Sequence, residues 1–325
     1  MKRLAAILLH LPKRLEACFH FGEGMKRLAV ILIATIALSG GASPVRARHV
    51  GLLPMETVFQ GRARFENLIS QIKGKAERLR ALPIGERVAW FGQVFVGTPY
   101  KGFTLEIDDR MEAPSVNLNG LDCWTFFEVA LAMARMVDRP VEEWTAEMML
   151  RYIEMDRYWG GSCDGTYLSR LHYLEDWLHD NADRGLIRDL TRSLGGVNVS
   201  NAATEMTNNW KKYRYMRNNP EFRAGISELE SRLRRQPLAM IPKSKVRDIE
   251  DRLQNGDIIG IIGKDGERYG TSHVGLAYRG ADGVLRFMHA SAPSNYGKVV
   301  IDMRLSDYLA KFRTHAGILV GRPVR

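Results

Sequence analysis

The sequence predicts an α+β fold, helices first and a β-sheet afterwards, and three observations carry that prediction. The first half is dominated by apolar residues spaced three, four and seven apart. The last quarter switches to short β-prone runs bounded by Gly, Asp and Pro. One of its turns, Ala281-Asp282-Gly283, favours an antiparallel hairpin over a parallel crossover. Helices and strands are segregated along the chain, unlike the alternation of a doubly wound α/β protein.

The 325 residues, 45% hydrophobic and 26% charged, have a globular composition and enough length to bury a sizeable core. The formal charge of +10 is concentrated at the start, where seven Lys/Arg face two Glu before Arg48, so the remainder is only mildly basic. Met25-Lys26-Arg27, the apolar run Leu28 to Leu38 and the small residues through Val45-Arg46-Ala47 have the order of a secretory signal peptide cleaved after Ala47. Residues 1–24 repeat the theme weakly, which makes Met25 the expected true start and 1–47 the expected leader. The alternative is an N-terminal anchor, but the apolar run is short for a span, and no permanent membrane span is expected in the mature chain. Residues 48–325 are expected to form one exported domain, periplasmic or secreted.

Taken in order, Gly51 to about Ala81 reads as a helix with Phe65, Leu68, Ile69, Ile72 and Leu79 on one face. A second helix runs from about Ile84 to Val96 and is broken by Gly97-Thr98-Pro99-Tyr100. A polar loop passes through Asp108-Asp109 to Asn117-Leu118-Asn119-Gly120. Leu121-Asp122-Cys123 then opens a third helix, because Asp122 is a good N-cap and Phe126, Phe127, Ala130, Leu131, Ala134 and Val137 form a broad apolar face. Arg139-Pro140 closes it, and Val141 to Met155 and Leu171 to His179 also read as helices, separated by Gly160-Gly161-Ser162. Residues 186–250 are the expected helical insertion or lid, polar and basic, with the cluster Trp210 to Tyr215 and a helix from Glu221 to Arg235. Strands are expected at Asp257 to Ile262, Ser272 to Tyr278, Val284 to Ala290, Lys298 to Asp302 and Ala316 to Gly321. No internal repeat is evident, which excludes solenoids and propellers.

Cys123 stands where a helix begins, and both the unpaired N–H groups and the macrodipole there favour a thiolate. A nucleophile needs a base, and His273 opens an otherwise apolar strand from whose end it can project into a cleft. His289 lies on the next strand of the predicted hairpin and can face the same side, where it would orient the first imidazole. The bland alternatives are a cysteine used as a small core residue and, in an oxidising compartment, a structural disulfide to Cys163. Cys163 itself follows Gly160-Gly161-Ser162 and is read as a bystander. The order Asp-Cys, Ser-His-Val-Gly, Met-His-Ala is more specific than any one part.

These blocks carry a resemblance. Gly97-Thr98-Pro99-Tyr100, Leu121-Asp122-Cys123-Trp124-Thr125-Phe126, Asn255-Gly256-Asp257-Ile258-Ile259, His273 to Tyr278 and Met288-His289-Ala290 resemble the ordered blocks of NlpC/P60 cell-wall hydrolases. The run Asp122 to Glu128, the block Ser169-Arg170-Leu171-His172-Tyr173 and the long insertion resemble the DUF1460 branch, described as N-acetylmuramoyl-L-alanine amidase-like. The resemblance runs from about Glu56 to Pro323.

It implies a papain-like core, with the Cys123 helix packed on an antiparallel sheet carrying His273 and His289, and the roles of nucleophile, base and orienting group for those three residues. It also implies that Tyr100 lines the cleft beside the nucleophile. Arg170 and His172 are the expected substrate contacts, since stem peptides carry carboxylates that a guanidinium can grip; the alternative is an internal salt bridge and a surface histidine. NlpC/P60 members usually read Asp-Cys-Ser-Gly where this chain has Asp122-Cys123-Trp124-Thr125. That departure favours an amidase cutting the N-acetylmuramoyl-L-alanine bond, with a stem-peptide D,L-endopeptidase and an inactive wall-binding module as the other readings. The expected partner is peptidoglycan or its muramyl peptides. Export argues against nucleic acid, and the Trp210 to Tyr215 cluster is expected to form a rim for sugar or peptide. No zinc spacing or phosphate-binding loop is found, so no metal or cofactor is expected.

Overall fold

The helix Cys123–Met136 is the element around which the rest is built. Asp122 caps it: its carboxylate accepts the Thr125 N–H at 2.8 Å and the Thr125 hydroxyl at 2.8 Å, while the Thr125 Oγ1 accepts the Asp122 N–H at 3.0 Å. This reciprocal box satisfies donors that a helix start leaves open. From Thr125 to Met136 every residue is buried, as befits a helix apolar on all sides. The two charges it takes inward are paired, Glu128 with Arg157 at 2.7 Å and Arg135 with Asp156.

The computed structural model describes residues 53–266 and 268–324. The leader and the expected start at Met25 lie outside the described residues. Among the described residues, no helix is long and apolar enough to cross a membrane.

Two-residue strands β1 (Phe59–Gln60) and β2 (Val116–Asn117) pair in parallel beside the helical layer. The main sheet is built from β3 (Ile187–Asp189), β4 (Val197–Val199), β5 (Leu238–Pro242), β6 (Ile258–Asp265), β7 (Arg268–Arg279), β8 (Leu285–Ala290), β9 (Val299–Arg304) and β10 (His315–Pro323). Its order is β4-β5-β10-β6-β7-β8-β9, with β3 also on β10, and every pairing is antiparallel. Helices precede most of the sheet, so the α+β class read from the sequence holds.

Period-two alternation divides the sheet between two cores. Ile258, Ile262, Val274, Leu276, Met288 and Leu319 face the Cys123 helix. Ile259, Ile261, Ala277, Phe287, Ile318 and Val320 face the other way, onto Val246 and Ile249 and onto Leu305 and Leu309 of the helix Leu305–Lys311. That last helix was not anticipated.

Two expectations are corrected. The single helix expected over 51–81 is broken into Met55–Val58, Arg62–Ile72 and Ala76–Arg80. Gly61 adopts φ 85°, a left-handed conformation that interrupts the first join, and a 3₁₀ turn at Lys73–Lys75 tightens the second. The 186–250 segment is not purely helical: besides the helix Pro220–Arg234 it supplies β3, β4 and β5 to the sheet. Each of these strands is short and depends for pairing on a distant partner.

Candidate active site

β6 and β7 pair regularly until the register slips between Ile261↔His273 and Ile262↔Thr271, leaving Ser272 as an extra residue on β7. Such a bulge turns the next side chain out of the regular pleat, and here that residue is His273. On the other side, β8 and β9 slip between Arg286↔Arg304 and Met288↔Ile301, placing a second irregularity around Asp302 and Met303. The two bulges flank His289.

His273 Nε2 lies 2.7 Å from His289 Nδ1. His289 Nε2 lies 3.4 Å from Asp302 Oδ2. Asp302 Oδ1 accepts the Met303 N–H at 2.7 Å and the Tyr296 hydroxyl at 3.4 Å. Imidazole, imidazole and carboxylate therefore form one chain across three neighbouring strands. His289 is held in place by Phe287 stacked at 4.6 Å and by Tyr308 at 5.2 Å. Gly275 leaves it room: a Cβ there would sit 2.5 Å from the Met288 carbonyl oxygen and 2.8 Å from the His289 Cβ.

Cys123 is a free thiol at the first turn of its helix, part-exposed, and so is Cys163, which is buried elsewhere against the Glu112 carbonyl. The Cys123 sulfur accepts the backbone N–H of Val274, the residue after His273. The nucleophile candidate thus lies against the backbone next to the base candidate, where the β7–β8 ladder, paired as far as Leu276↔Met288, has opened.

Burial pushes the Cys123 thiol up to about 12, and the charge of Asp122 adds to it; the N–H groups of Val274, Trp124 and Cys123 itself oppose the shift without cancelling it. Burial holds His273 well below the usual histidine range, reinforced by His289 and His315. The helix start does favour the anion, but desolvation wins, and the resting pair is a neutral thiol beside a neutral imidazole. For Asp302, burial raises the pKa, but the His289 hydrogen bond and the Met303 N–H outweigh it, so the carboxylate stays ionised.

Cys123 and His273 line a cavity of about 280 Å³ together with Tyr100, Trp124, His172 and Phe103. His273 and His289 also line a second hollow of about 560 Å³. Tyr173, Glu205, Thr271, Ser272 and His273 belong to both, which makes the two hollows halves of one cleft with His273 on the divide.

The remaining sequence-derived residues fall as follows. Tyr100 faces the cavity, its hydroxyl pushed up to about 12 by burial and by the charges of Cys123 and Asp122. His172 also lines it, with Nε2 2.8 Å from the Tyr167 carbonyl oxygen; a carbonyl only accepts, so Nε2 carries the proton. Burial and then Arg170 drive its pKa down to about 3, which keeps the ring neutral. Arg170 touches the cavity, but its guanidinium is engaged by Glu112, by Glu106 at 3.5 Å and by the Leu105 carbonyl at 3.1 Å. The internal salt bridge weighed against a substrate-gripping arginine is the arrangement found. Of the Trp210 to Tyr215 cluster only Tyr213 reaches this cavity; Tyr215 is buried on Tyr167 and Trp210 lies under Arg223 at 4.3 Å.

Sequence reading missed Asp302 and Phe103. An acid ending the apolar run Val299-Val300-Ile301 was the available signal for the first; nothing local marks the second. Among the described residues, no group of three or more His, Cys, Asp or Glu is arranged to hold a metal ion.

Comparison with known proteins adds the following. The AmiA-like family model, described as N-acetylmuramoyl-L-alanine amidase-like, matches residues 90–318, a span that includes Cys123, His273, His289 and Asp302. An N-acetylmuramoyl-L-alanine amidase from Bacteroides uniformis is 28% identical with a TM-score of 0.65, covering 74% of this chain and 99% of its own. A Bacteroides fragilis protein provisionally described as a xylanase is 34% identical with a TM-score of 0.63, covering 71% of this chain and 99% of its own. A Legionella pneumophila protein of the DUF1460 family, 22% identical with a TM-score of 0.59 and covering 82% of this chain and 97% of its own, shares the fold. No curated protein matches this chain.

Proposed function

This chain belongs to the AmiA-like, N-acetylmuramoyl-L-alanine amidase-like family, and from that premise we propose that it hydrolyses the amide between the lactyl group of N-acetylmuramic acid and L-alanine, with Cys123 as nucleophile, His273 as base and His289 as orienting group. In this reading the core is the papain-like one of the NlpC/P60 hydrolases, and the leader exports the enzyme to the wall. The observation that carries it is a helix-start thiol that lines one cavity with the first imidazole of a histidine–histidine–carboxylate chain.

The chemistry follows from the protonation states. His273 Nε2 is occupied by His289, so Nδ1 is the nitrogen left for the sulfur. With thiol and imidazole both neutral at rest, the proton passes from Sγ to Nδ1 as the sulfur attacks the amide carbonyl carbon. The Cys123 N–H, free of an intrahelical partner at the helix start, stabilises the oxyanion. The imidazolium then protonates the amide nitrogen, the C–N bond breaks and the peptide leaves as a free amine. Water deprotonated by His273 attacks the thioester, releasing the lactyl carboxylate and restoring the thiol. Asp302 acts on this cycle through His289, as a positioning residue.

Residues 202–213 contribute to both halves of the cleft, which favours released fragments over polymeric wall. A glycosidase would need two carboxylates flanking the bond. Of the carboxylates lining the cleft, Glu106 is paired with Arg170, Asp265 with Arg268, Asp122 with Thr125 and Glu175 with Thr271, so Glu205 lacks a second uncommitted carboxylate, whereas the imidazole stands on the divide and the thiol in the smaller half.

Incubation with a defined N-acetylmuramoyl peptide and product identification by mass tests the proposal. Free N-acetylmuramic acid and an intact stem peptide are expected. A split stem peptide would move the assignment to a D,L-endopeptidase, and no product to an inactive binding module.

A further inference from the structure

We infer that the cleft takes its substrate in one direction, with the muramoyl sugar in the smaller half beside Cys123 and the departing stem peptide in the larger half beyond His273; this rests on the amidase reading above. The first support is where the reacting groups stand. Cys123 lines only the smaller half, whereas His273 lines both. The carbon that bonds to Sγ must lie on the cysteine's side, and it belongs to the acyl group, which carries the sugar. The nitrogen that receives the imidazole proton belongs to the peptide, and the space open to it past His273 is the larger half.

The second support is the chemistry of the walls, which is independent of the first. Phe103 in the smaller half adopts φ 59°, a conformation disfavoured for a residue with a side chain. Its ring is 52% exposed and stands edge-on to Tyr213 at 5.6 Å. The fold gains little from an exposed ring on strained backbone, and such outliers persist where a site uses them. Phe103 with Tyr213, near Tyr100 and Trp124, offers the flat apolar surface on which the C–H face of a pyranose packs. Of the charged groups of this half, Arg170 is engaged with Glu106 and Asp122 with Thr125, which leaves Glu205, shared with the larger half. The larger half has twice the volume and carries, besides Glu205, the exposed Arg268–Asp265 ion pair at 2.8 Å and Lys264, which lies over the Tyr269 ring at 5.5 Å. Those are the complements of a peptide bearing several carboxylates and an ammonium group.

Steady-state kinetics of the full-length enzyme test this with two substrates, N-acetylmuramoyl dipeptide and an N-acetylmuramoyl tetrapeptide containing a diamino acid. For Phe103→Ala, KM is expected to rise roughly three- to tenfold on both substrates, with kcat little changed. For the double variant Lys264→Ala/Arg268→Ala, KM is expected to rise by a similar factor on the tetrapeptide alone. Melting temperatures near wild type establish that both variants fold. The reverse pattern, or no change in either variant, overturns the orientation while leaving the amidase reading intact. If the wild-type enzyme leaves the muramoyl–alanine bond uncut in both substrates, that reading falls and the orientation falls with it.

Discussion

Cys123→Ala is expected to lower the rate of muramoyl–alanine hydrolysis by more than about 10³-fold, leaving a folded protein with an unchanged far-ultraviolet circular dichroism spectrum. The size of the loss follows from the covalent route: without the sulfur there is no thioester, and only binding and the helix-start N–H remain to assist direct attack by water. The fold is insulated because the helix start is held by Asp122 and Thr125, not by the thiol. Alanine is also a strong helix former, so the first turn is preserved. Cys163→Ala provides the contrast. That thiol is buried against Glu112 outside the cleft, and its removal is expected to leave kcat unchanged.

Asp302→Asn is expected to lower kcat/KM at neutral pH by about 10²–10⁴-fold with little effect on thermal stability. A carboxylate only accepts, so His289 presents Nε2–H to it and keeps Nδ1 bare; His273 then donates Nε2–H to His289 and keeps its own Nδ1 bare for the thiol. An amide can donate instead, which reverses every link and points a proton at Cys123. A merely structural role for Asp302 would not alter the pH profile, whereas this one does. In the wild type the neutral imidazole is the active form, so activity is lost as pH falls through the pKa of His273, which burial places well below 6.5. The acid limb of kcat/KM therefore lies below pH 6.5, and with the thiol near 12 no alkaline limb arises from its ionisation near 9. In Asp302→Asn that profile is expected to change shape, with residual activity rising toward alkaline pH where the thiol ionises without a base. A parallel drop with an unshifted profile would reduce Asp302 to a packing role.

The parts of this site that local chemistry dictates were legible in the sequence. Asp122 and Thr125 bracket Cys123 at cap spacing, and twelve successive residues after Trp124 are apolar enough, or paired enough, to be buried. The strands around His273 and His289 were legible because residues such as Ile258 and Ile259, or Phe287 and Met288, divide between two cores. What escaped depends on register. The bulge at Ser272 that aims His273, and the irregularity that brings Asp302 under His289, exist only once neighbouring strands are paired. The left-handed Phe103 leaves no local trace either, since neither glycine nor asparagine marks the position. Strands β3 to β5 hid in a polar segment because each relies on a partner distant in sequence, Gly321 to Pro323 for β3 and Gly317 and Ile318 for β5. The acidity of Cys123 was half legible for a related reason: the helix start that lowers it is visible in the sequence, but the desolvation that outweighs it comes from the packed cleft.

Acid quenching of the enzyme during turnover of an N-acetylmuramoyl peptide, followed by mass spectrometry of its proteolytic fragments, reads out the bond that Cys123 makes. The fragment containing Cys123 is expected to gain the mass of an N-acetylmuramoyl group in thioester linkage, absent from Cys123→Ala and accumulating when slow water attack limits turnover. An adduct carrying stem-peptide residues, or undiminished hydrolysis by Cys123→Ala, would contradict nucleophilic attack by this thiol on the lactyl amide.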